Sequence, residues 1–190
     1  TREQLLKLFH FTSGKGKNVI FTENITASLN VLLKGLLNPG DHVLVTAMEH
    51  NAVMRPLVQL EKHGISFDRI PCASDGSLLL DKAAALLRPE TKLVVCLHAS
   101  NVCGTVMPAQ EIGNFCKEHG LLFILDTAQT AGTLDIDMEK YHIDALAFTG
   151  HKGLRGPQGT GGFLIRNELA AQIEPLISGG TGSASHSEEV

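Results

Sequence analysis

The stretch that decides the fold runs from Phe123 to Gly153; it begins FILDTAQ and ends LAFTGHKG. An apolar run over 121–125 ends at Asp126, and a second run over 145–148 leads into TGHK. Each run is typical of a buried parallel strand, and parallel α/β sheets bind ligands outside the carboxyl ends of their strands. We therefore expect a carboxylate and an amine to meet at one edge of a sheet, in a site poor in water.

Pyridoxal phosphate (PLP) is the cofactor that this pair suits. PLP needs a lysine amine that binds it covalently and a carboxylate beside its pyridinium nitrogen. Asp126 and Lys152 offer those two groups just past two predicted strands. The residues themselves thus predict a PLP site.

Apolar runs of strand length alternate with helical patterns through most of the remaining chain. This alternation predicts an α/β fold, a three-layer, doubly wound and mainly parallel sheet with helices on both faces. We predict strands over 19–21, 42–46, 65–70, 92–97, 121–125, 145–148 and 163–165. We also predict six helices. Two of them span 3–9 and 168–176, and one runs from Pro108 to Gly120. Of the other three, one is capped by Asn24 or Thr26, one is closed by Gly64, and one is capped by Asp81 and ends near Arg88.

Missing motifs argue against three common kinds of site. No G-x-G-x-x-G follows the first strand, which counts against a dinucleotide-binding domain, and no G-x-S-x-G is present, which counts against an α/β-hydrolase. The GKGK at 14–17 lacks the full phosphate-loop pattern, so we interpret it as a solvated basic turn.

Composition points away from nucleic acid, membrane and metal. The 190 residues carry 16 basic and 20 acidic side chains, with no Trp and one Tyr, which is unlike a nucleic-acid binder. No apolar run approaches the roughly 20 residues of a membrane span, and the first residues do not resemble a signal peptide. The nine histidines show no metal-ligand spacing. The four cysteines form no C-x-x-C pair, so we interpret them as reduced, buried thiols of a cytosolic protein.

Polar side chains follow two further predicted strands. Glu49 and His50 come after the second strand, and Asn101 comes after the fourth. Local evidence favours a structural role for His50, while its place beyond a strand keeps a catalytic role open. Asp135 and Asp137 are interpreted as solvated loop carboxylates.

Five segments together resemble the class V aminotransferases, which are fold-type I PLP enzymes, and above all their cysteine desulfurase branch. They occur in the family's order between about residues 19 and 165. The resemblance implies the large domain of that fold with PLP as cofactor. The segments are FTENITASLN (21–30), MEHNAVMRPL (48–57), HASNVCGT (98–105), LDTAQ (125–129) and FTGHKGLRGPQG (148–159).

The resemblance also implies roles for nine residues. Lys152 binds PLP covalently and moves the substrate Cα proton, and Asp126 pairs with the pyridinium nitrogen. His50 stacks on the ring and shuttles protons, Gln129 hydrogen-bonds the phenolic oxygen, and Asn101 lies near that oxygen and the substrate carboxylate. The phosphate is expected to be held by Ile25, Thr26, Thr149 and His151.

The reaction implied by the resemblance converts L-cysteine to L-alanine and leaves a persulfide on an enzyme cysteine, whose sulfur then passes to an acceptor protein, as in Fe–S assembly. The family acts as a homodimer. Aminotransferase, selenocysteine lyase and β-lyase activities, or a PLP-binding domain without turnover, stay open as alternatives.

Domain boundaries follow from the same resemblance. We expect residues 1–177 to form an incomplete PLP-binding large domain and 178–190 to form a mobile Gly/Ser-rich tail that leads to a C-terminal domain outside this chain. The family's nucleophilic cysteine and carboxylate-binding arginine belong to that further part, so we expect the isolated chain to be inactive by itself.

Overall fold

A seven-stranded sheet forms the centre of the protein, whose computed structural model describes residues 1–179. Strand order across the sheet is β1-β7-β6-β5-β4-β2-β3, with chain bounds as follows: β1 Val19–Thr22, β2 His42–Thr46, β3 Ser66–Ile70, β4 Thr91–Leu97, β5 Leu122–Asp126, β6 Ala145–Thr149 and β7 Gly161–Ile165.

Most neighbouring strands are parallel, as predicted. Parallel pairs join β2 with β3 and β4, β4 with β5, and β5 with β6. Strand β7 is antiparallel to both β6 and β1. The connection over 150–160 contains no helix that could carry the chain back across a sheet face, so β7 returns beside β6 in the opposite direction.

Helices cover both faces of this sheet, which confirms the three-layer prediction. The helices are α1 Arg2–Leu8, α2 Ile25–Leu36, α3 Asn51–Glu61, α4 Ala109–His119 and α5 Asn167–Ala170. Helices α2 and α3 share one buried cluster with one sheet face, while α1 and α4 share a second cluster with the other. Helix α2 has an almost fully buried stripe formed by Leu29, Leu32, Leu33 and Leu36. The side chain of Asn24 caps this helix by accepting a hydrogen bond from the Ala27 N–H.

Two predicted helices are wrong in kind or length. The segment Leu80–Leu86 is a 3₁₀ helix in which Leu79, and not Asp81, holds the N-cap position without a side-chain hydrogen bond. It buries only Ala83, so packing offers little to stabilise a regular α-helix. The helix predicted over 168–176 stops at Ala170, because Leu169 is its only buried residue.

The predicted tail begins at the end of the described residues. Ser178 and Gly179 are exposed, and positions 180–190 lie outside the part of the chain that the structure describes.

Helix α4 lies so close to the loop before β6 that one position requires glycine. A Cβ on Gly113 would overlap the carbonyl group of Tyr141. Gly120 ends the same helix in the left-handed conformation, at a φ of 67°, as its place in the sequence predicted.

We expect Gly113→Ala to destabilise the protein by at least about 2 kcal/mol, since backbone must move to admit the methyl group. Asn114→Ala, an exposed change on the same helix, serves as the control and should stay within about 0.5 kcal/mol. Urea unfolding followed by circular dichroism measures both. Equal midpoints for the two variants would contradict this packing.

Candidate functional site

A small cleft of about 50 Å³ opens at the carboxyl ends of the central strands. Six of the nine predicted residues line it. The lining consists of Ile25, His50, Leu97, Ala99, Asn101, Asp126, Ala128, Gln129 and Lys152.

The cleft lies where the winding of the sheet reverses. The chain leaves β2 through α3 on one face to reach β3, and leaves β4 through α4 on the other face to reach β5. Two neighbouring strands whose connections go to opposite faces leave a crevice at their carboxyl ends, which is the usual binding place in open α/β sheets. The fold therefore explains why the cleft is here.

Asp126 is the last residue of β5 and is only 4% exposed. Its Oδ1 accepts a hydrogen bond of 2.8 Å from the Ala128 N–H. Burial raises the pKa of this carboxyl, and the hydrogen bond from the Ala128 N–H and the charge of Lys152 act in the opposite direction. A carboxylate held in this way is poised to pair with a cation inside the cleft.

Lys152 reaches the cleft because two loops approach closely. A Cβ on Gly153 would overlap the carbonyl of Ala131, and a Cβ on Gly132 would lie 2.7 Å from the carbonyl oxygen of Gly153. Gly132 also has a φ of +80°, which favours glycine. The segment after β5 and the segment after β6 can thus touch, which brings the carboxylate and the amine to one cleft.

His50 lines the cleft and also caps α3, so its structural role is confirmed and its catalytic role stays a prediction. Its Nδ1 accepts a hydrogen bond of 3.0 Å from the Ala52 N–H. An accepting Nδ1 requires the neutral ring to carry its proton on Nε2. The cap therefore selects the tautomer of the imidazole.

Asn101 lies in a tight turn after β4. The Ser100 hydroxyl accepts hydrogen bonds from the N–H groups of Val102 and Cys103, and the Gly104 N–H donates to the Ser100 carbonyl. These bonds fold the turn back toward the sheet and place the Asn101 amide at the cleft.

Three predicted residues lie beside the cleft and not in its lining. Thr149 is buried, and its Oγ1 is 3.2 Å from Nδ1 of His151. Thr26 is exposed in the first turn of α2. Thr149 and the start of α2 lie on either side of Gly161. Thr149 pairs with Gly161 in the sheet, and Gly161 packs against α2, since a Cβ on it would lie 2.7 Å from the backbone of Asn24.

Four residues of this region were not predicted. Leu97, Ala99 and Ala128, at or just past the ends of β4 and β5, add apolar walls, and no sequence pattern distinguishes them from core residues. The fourth is Glu49, whose Oε1 accepts hydrogen bonds from the Thr46 hydroxyl and the Leu97 N–H. Its position next to His50, just past the end of β2, was the sequence feature that could have identified Glu49 as part of this region.

The prediction that the cysteines are buried is confirmed for two of them and is wrong for Cys103, which is exposed, and for Cys72, which is half-buried. Cys96 and Cys116 are buried, which raises the pKa of both thiols. Cys103 is exposed in the turn that carries Asn101, and hydrogen bonds with Ser100 and Thr105 lower its pKa to about 7. Within residues 1–179 no group of three His, Cys, Asp or Glu side chains is arranged to hold a metal ion, and no helix there is long and apolar enough to cross a membrane.

Comparison with known proteins gives a consistent family. The family model of class V aminotransferases matches residues 1–189. The chain is 33% identical over 183 residues to a probable mitochondrial cysteine desulfurase of Dictyostelium discoideum, and the match covers 94% of this chain and 40% of that protein.

Solved structures agree with the sequence match. The apo cysteine desulfurase of Thermococcus onnurineus NA1 superposes with a TM-score of 0.84 at 34% identity, over 94% of this chain and 46% of that one. The cystine C–S lyase C-DES, in complex with its product cysteine persulfide, gives 0.84 at 30% identity over 94% and 48%. A C-DES variant with glycine covalently linked to the PLP cofactor gives 0.83 at 29% identity, over 95% and 50%. The chain thus spans about half the length of these relatives, or less.

We expect His50→Ala to lower the free energy of unfolding by about 1 kcal/mol, because the Ala52 N–H loses its capping partner. His50→Asn keeps a capping oxygen and should remain close to the unchanged protein. Urea unfolding of the cofactor-free protein separates the two variants. Equal losses would show that the cap contributes nothing.

Cys103 should react with iodoacetamide half-maximally near pH 7, because the thiolate is the nucleophile and its population rises as pH passes the pKa. Its reactivity should level off above about pH 8, while buried Cys96 and Cys116 stay unmodified in the folded protein. Mass spectrometry of timed samples measures this, with Cys103→Ser as the control. An inflection near pH 9 would contradict the hydrogen-bonded turn.

Proposed function

The chain belongs to the class V aminotransferase family of PLP-dependent enzymes, and we propose that it is the PLP-binding core of a cysteine desulfurase that converts L-cysteine to L-alanine and an enzyme-bound persulfide. The observation that carries this proposal is the cleft in which the Lys152 amine and the buried Asp126 carboxylate come together. The two cysteine desulfurase relatives, at 33% and 34% identity, support the choice of reaction.

The residues of the cleft fit the three reactive parts of PLP. A pyridinium cation needs an anion, and Asp126 is a buried carboxylate with one oxygen already fixed by the Ala128 N–H. An aldehyde needs an amine, and Lys152 lines the same cleft. A phosphate needs N–H donors and hydroxyls, and α2 begins at Ile25 on the cleft wall with Thr26 next to it.

When bound, PLP supplies an electron sink that stabilises negative charge at the substrate Cα. Lys152 would anchor the cofactor and then carry the Cα proton with its amine. Asp126 would keep the pyridinium nitrogen protonated, since burial strengthens the pairing of opposite charges. His50, with its proton on Nε2, would cover the ring and exchange a proton with the substrate.

The remaining predicted residues would orient the cofactor. The amide of Gln129 would hydrogen-bond the phenolic oxygen, with Asn101 near that oxygen and the substrate carboxylate. The phosphate would be held by Ile25, Thr26, Thr149 and His151.

The whole protein's remaining parts are proposed by analogy with its relatives. We place the nucleophilic cysteine and the arginine for the substrate carboxylate beyond this chain, with 1–177 as the PLP-binding domain. Exposed Cys103 is not assigned as the nucleophile. A homodimer, a sulfur-acceptor protein, a part in Fe–S assembly and a cytoplasmic location complete the proposal, although the Dictyostelium relative is named as mitochondrial.

A second candidate function is β-elimination at a C–S bond. It is supported by the likeness to C-DES, which is named a cystine C–S lyase. Both reactions use the same cofactor cradle, so the cleft does not separate them. The products do, because elimination releases pyruvate and ammonia, whereas desulfuration leaves alanine.

We expect borohydride reduction of the PLP-treated protein to fix the cofactor on Lys152, in the peptide that contains GHKG. Lys152→Ala should lose the adduct and the visible absorption of bound PLP, while Lys140→Ala, an exposed change, should keep both. Folded protein without an adduct on Lys152 would refute the cofactor site.

The full-length protein then identifies the reaction. With L-cysteine, alanine and persulfide should appear in equal amounts and Lys152→Ala should reduce the rate at least a thousandfold, since covalent anchoring and proton transfer are both lost. Pyruvate from cystine without alanine from cysteine would favour the lyase.

A further inference from the structure

Glu49 spans the crevice at which the winding of the sheet reverses. The parallel pairing of β2 with β4 has its last rung at Val45 and Val95. Beyond that rung Oε1 of Glu49 accepts a hydrogen bond of 2.7 Å from the Thr46 hydroxyl and one of 2.9 Å from the Leu97 N–H. One carboxyl oxygen thus ties the ends of two separating strands.

The tie reaches a residue of the cleft on each side. His50 follows Glu49 directly in the chain, and Leu97 lines the cleft opposite Asp126 in the pairing of β4 with β5. The position of Glu49 therefore influences both the imidazole and the strand that lies against the buried carboxylate.

The second oxygen of Glu49 indicates a bound proton. Oε2 is out of contact with solvent and has no hydrogen-bond partner among the described residues. An ionised carboxylate in such a place would leave buried charge without compensation. Burial raises the pKa of Glu49 to about 8, and the charge of Asp126 adds to this, whereas hydrogen bonds from Thr46 and Leu97 oppose it.

The neighbours of Glu49 make the division of charge clear. The Cys96 thiol of β4 and the Cys72 thiol after β3 lie near Glu49. Both thiols are neutral, because burial raises the pKa of each. Asp126 from β5 has the Lys152 amine in the same cleft. The two carboxyl groups therefore have different surroundings, and the one that shares a cleft with an amine is the one suited to carry negative charge.

We propose that Glu49 is a positioning residue that acts as a neutral acid, bridging β2 and β4 so that His50 and Leu97 are held at the cleft while Asp126 stays its only buried negative charge. This inference deepens the proposed function and rests on it for the identity of the cofactor. The tie itself exists without a cofactor and can be tested without one.

The proton on Glu49 predicts a specific dependence of stability on pH. The folded pKa lies above that of an unfolded glutamate, about 4.3, so the contribution of the bound proton is complete below about pH 4 and is lost as pH rises to about 8. Glu49→Gln keeps the accepting Oε1 and removes the titration. Between pH 5 and 8.5 the melting temperature of the unchanged protein should fall by roughly 5 °C or more relative to this variant.

Two further variants control that measurement. Glu61→Gln makes the same chemical change at an exposed position of α3 and should follow the unchanged protein at every pH. Thr46→Val removes one hydrogen bond that favours the ionised form, so it should move the upper end of the pH window above 8. The proposal that Glu49 is a neutral acid is overturned if the melting temperatures of the unchanged protein and of Glu49→Gln change in parallel across this pH range.

The positioning role of Glu49 is tested by measuring the protonation and hydrogen bonding of the His50 ring. In ¹⁵N NMR spectra of the cofactor-free protein, Nδ1 should appear as an unprotonated, hydrogen-bonded nitrogen in the unchanged protein and in Glu49→Gln. Glu49→Ala should lose that signature and should bind PLP about tenfold more weakly at pH 7 than Glu49→Gln does. Identical His50 spectra and PLP affinities in the two variants would overturn the positioning role.

A replacement variant and a cofactor-free readout keep the test of Glu49 separate from the test of the PLP site. Should Glu49→Ala fail to fold, Thr46→Val serves in its place, with a smaller change of the same sign expected. If PLP leaves no adduct on Lys152, the proposed function fails, while the melting curves and the His50 spectra still decide whether Glu49 is a neutral positioning acid.

Discussion

The separation of β2 and β4 beyond their last rung, Val45 with Val95, is the constraint on which the rest of the site depends. Their connections go to opposite faces of the sheet, so no helix fills the space between their carboxyl ends. His50, Asn101 and Asp126 lie around that space because each follows or ends a strand that points to the same edge. A parallel sheet thus converts three distant sequence positions into neighbours.

Close backbone approach turns this edge into a place where an amine and a carboxylate meet. Gly132 and Gly153 let the segments after β5 and β6 touch, and neither contact tolerates a Cβ. Because strand β6 lies between the two segments in the chain, their contact is set by packing and not by chain proximity. The cofactor cradle proposed for this protein therefore rests on backbone contacts as much as on its polar side chains.

Buried charge is kept low in this region. Asp126 is buried and has the Lys152 amine in the same cleft, whereas Oε2 of Glu49 is out of contact with solvent and has no hydrogen-bond partner among the described residues. A single ionised carboxylate suits one bound pyridinium cation, whereas two would repel each other across a short distance of low dielectric. The cleft offers a buried carboxylate and an amine to a cofactor of this family, and the chain spans about half the length of its relatives or less.

The amino-acid sequence by itself determined the alternating α/β architecture, the caps at Asn24 and Gly120, and the strand-end positions of His50, Asn101, Asp126 and Lys152. Those features follow from periodicity and turn chemistry, which are local. Errors arose where local signals lacked support from packing, as in the 3₁₀ segment at Asp81 and the helix that ends at Ala170.

Only the tertiary structure decided which apolar residues wall the cleft, that His50 also caps α3, and that Glu49 joins β2 to β4. Leu97, Ala99 and Ala128 look like any buried residues in sequence, because a wall is defined by the space in front of it. The protonation of Glu49 depends on burial and on Asp126, which is 77 positions away in the chain. Contacts between residues so far apart exist only once the sheet has formed.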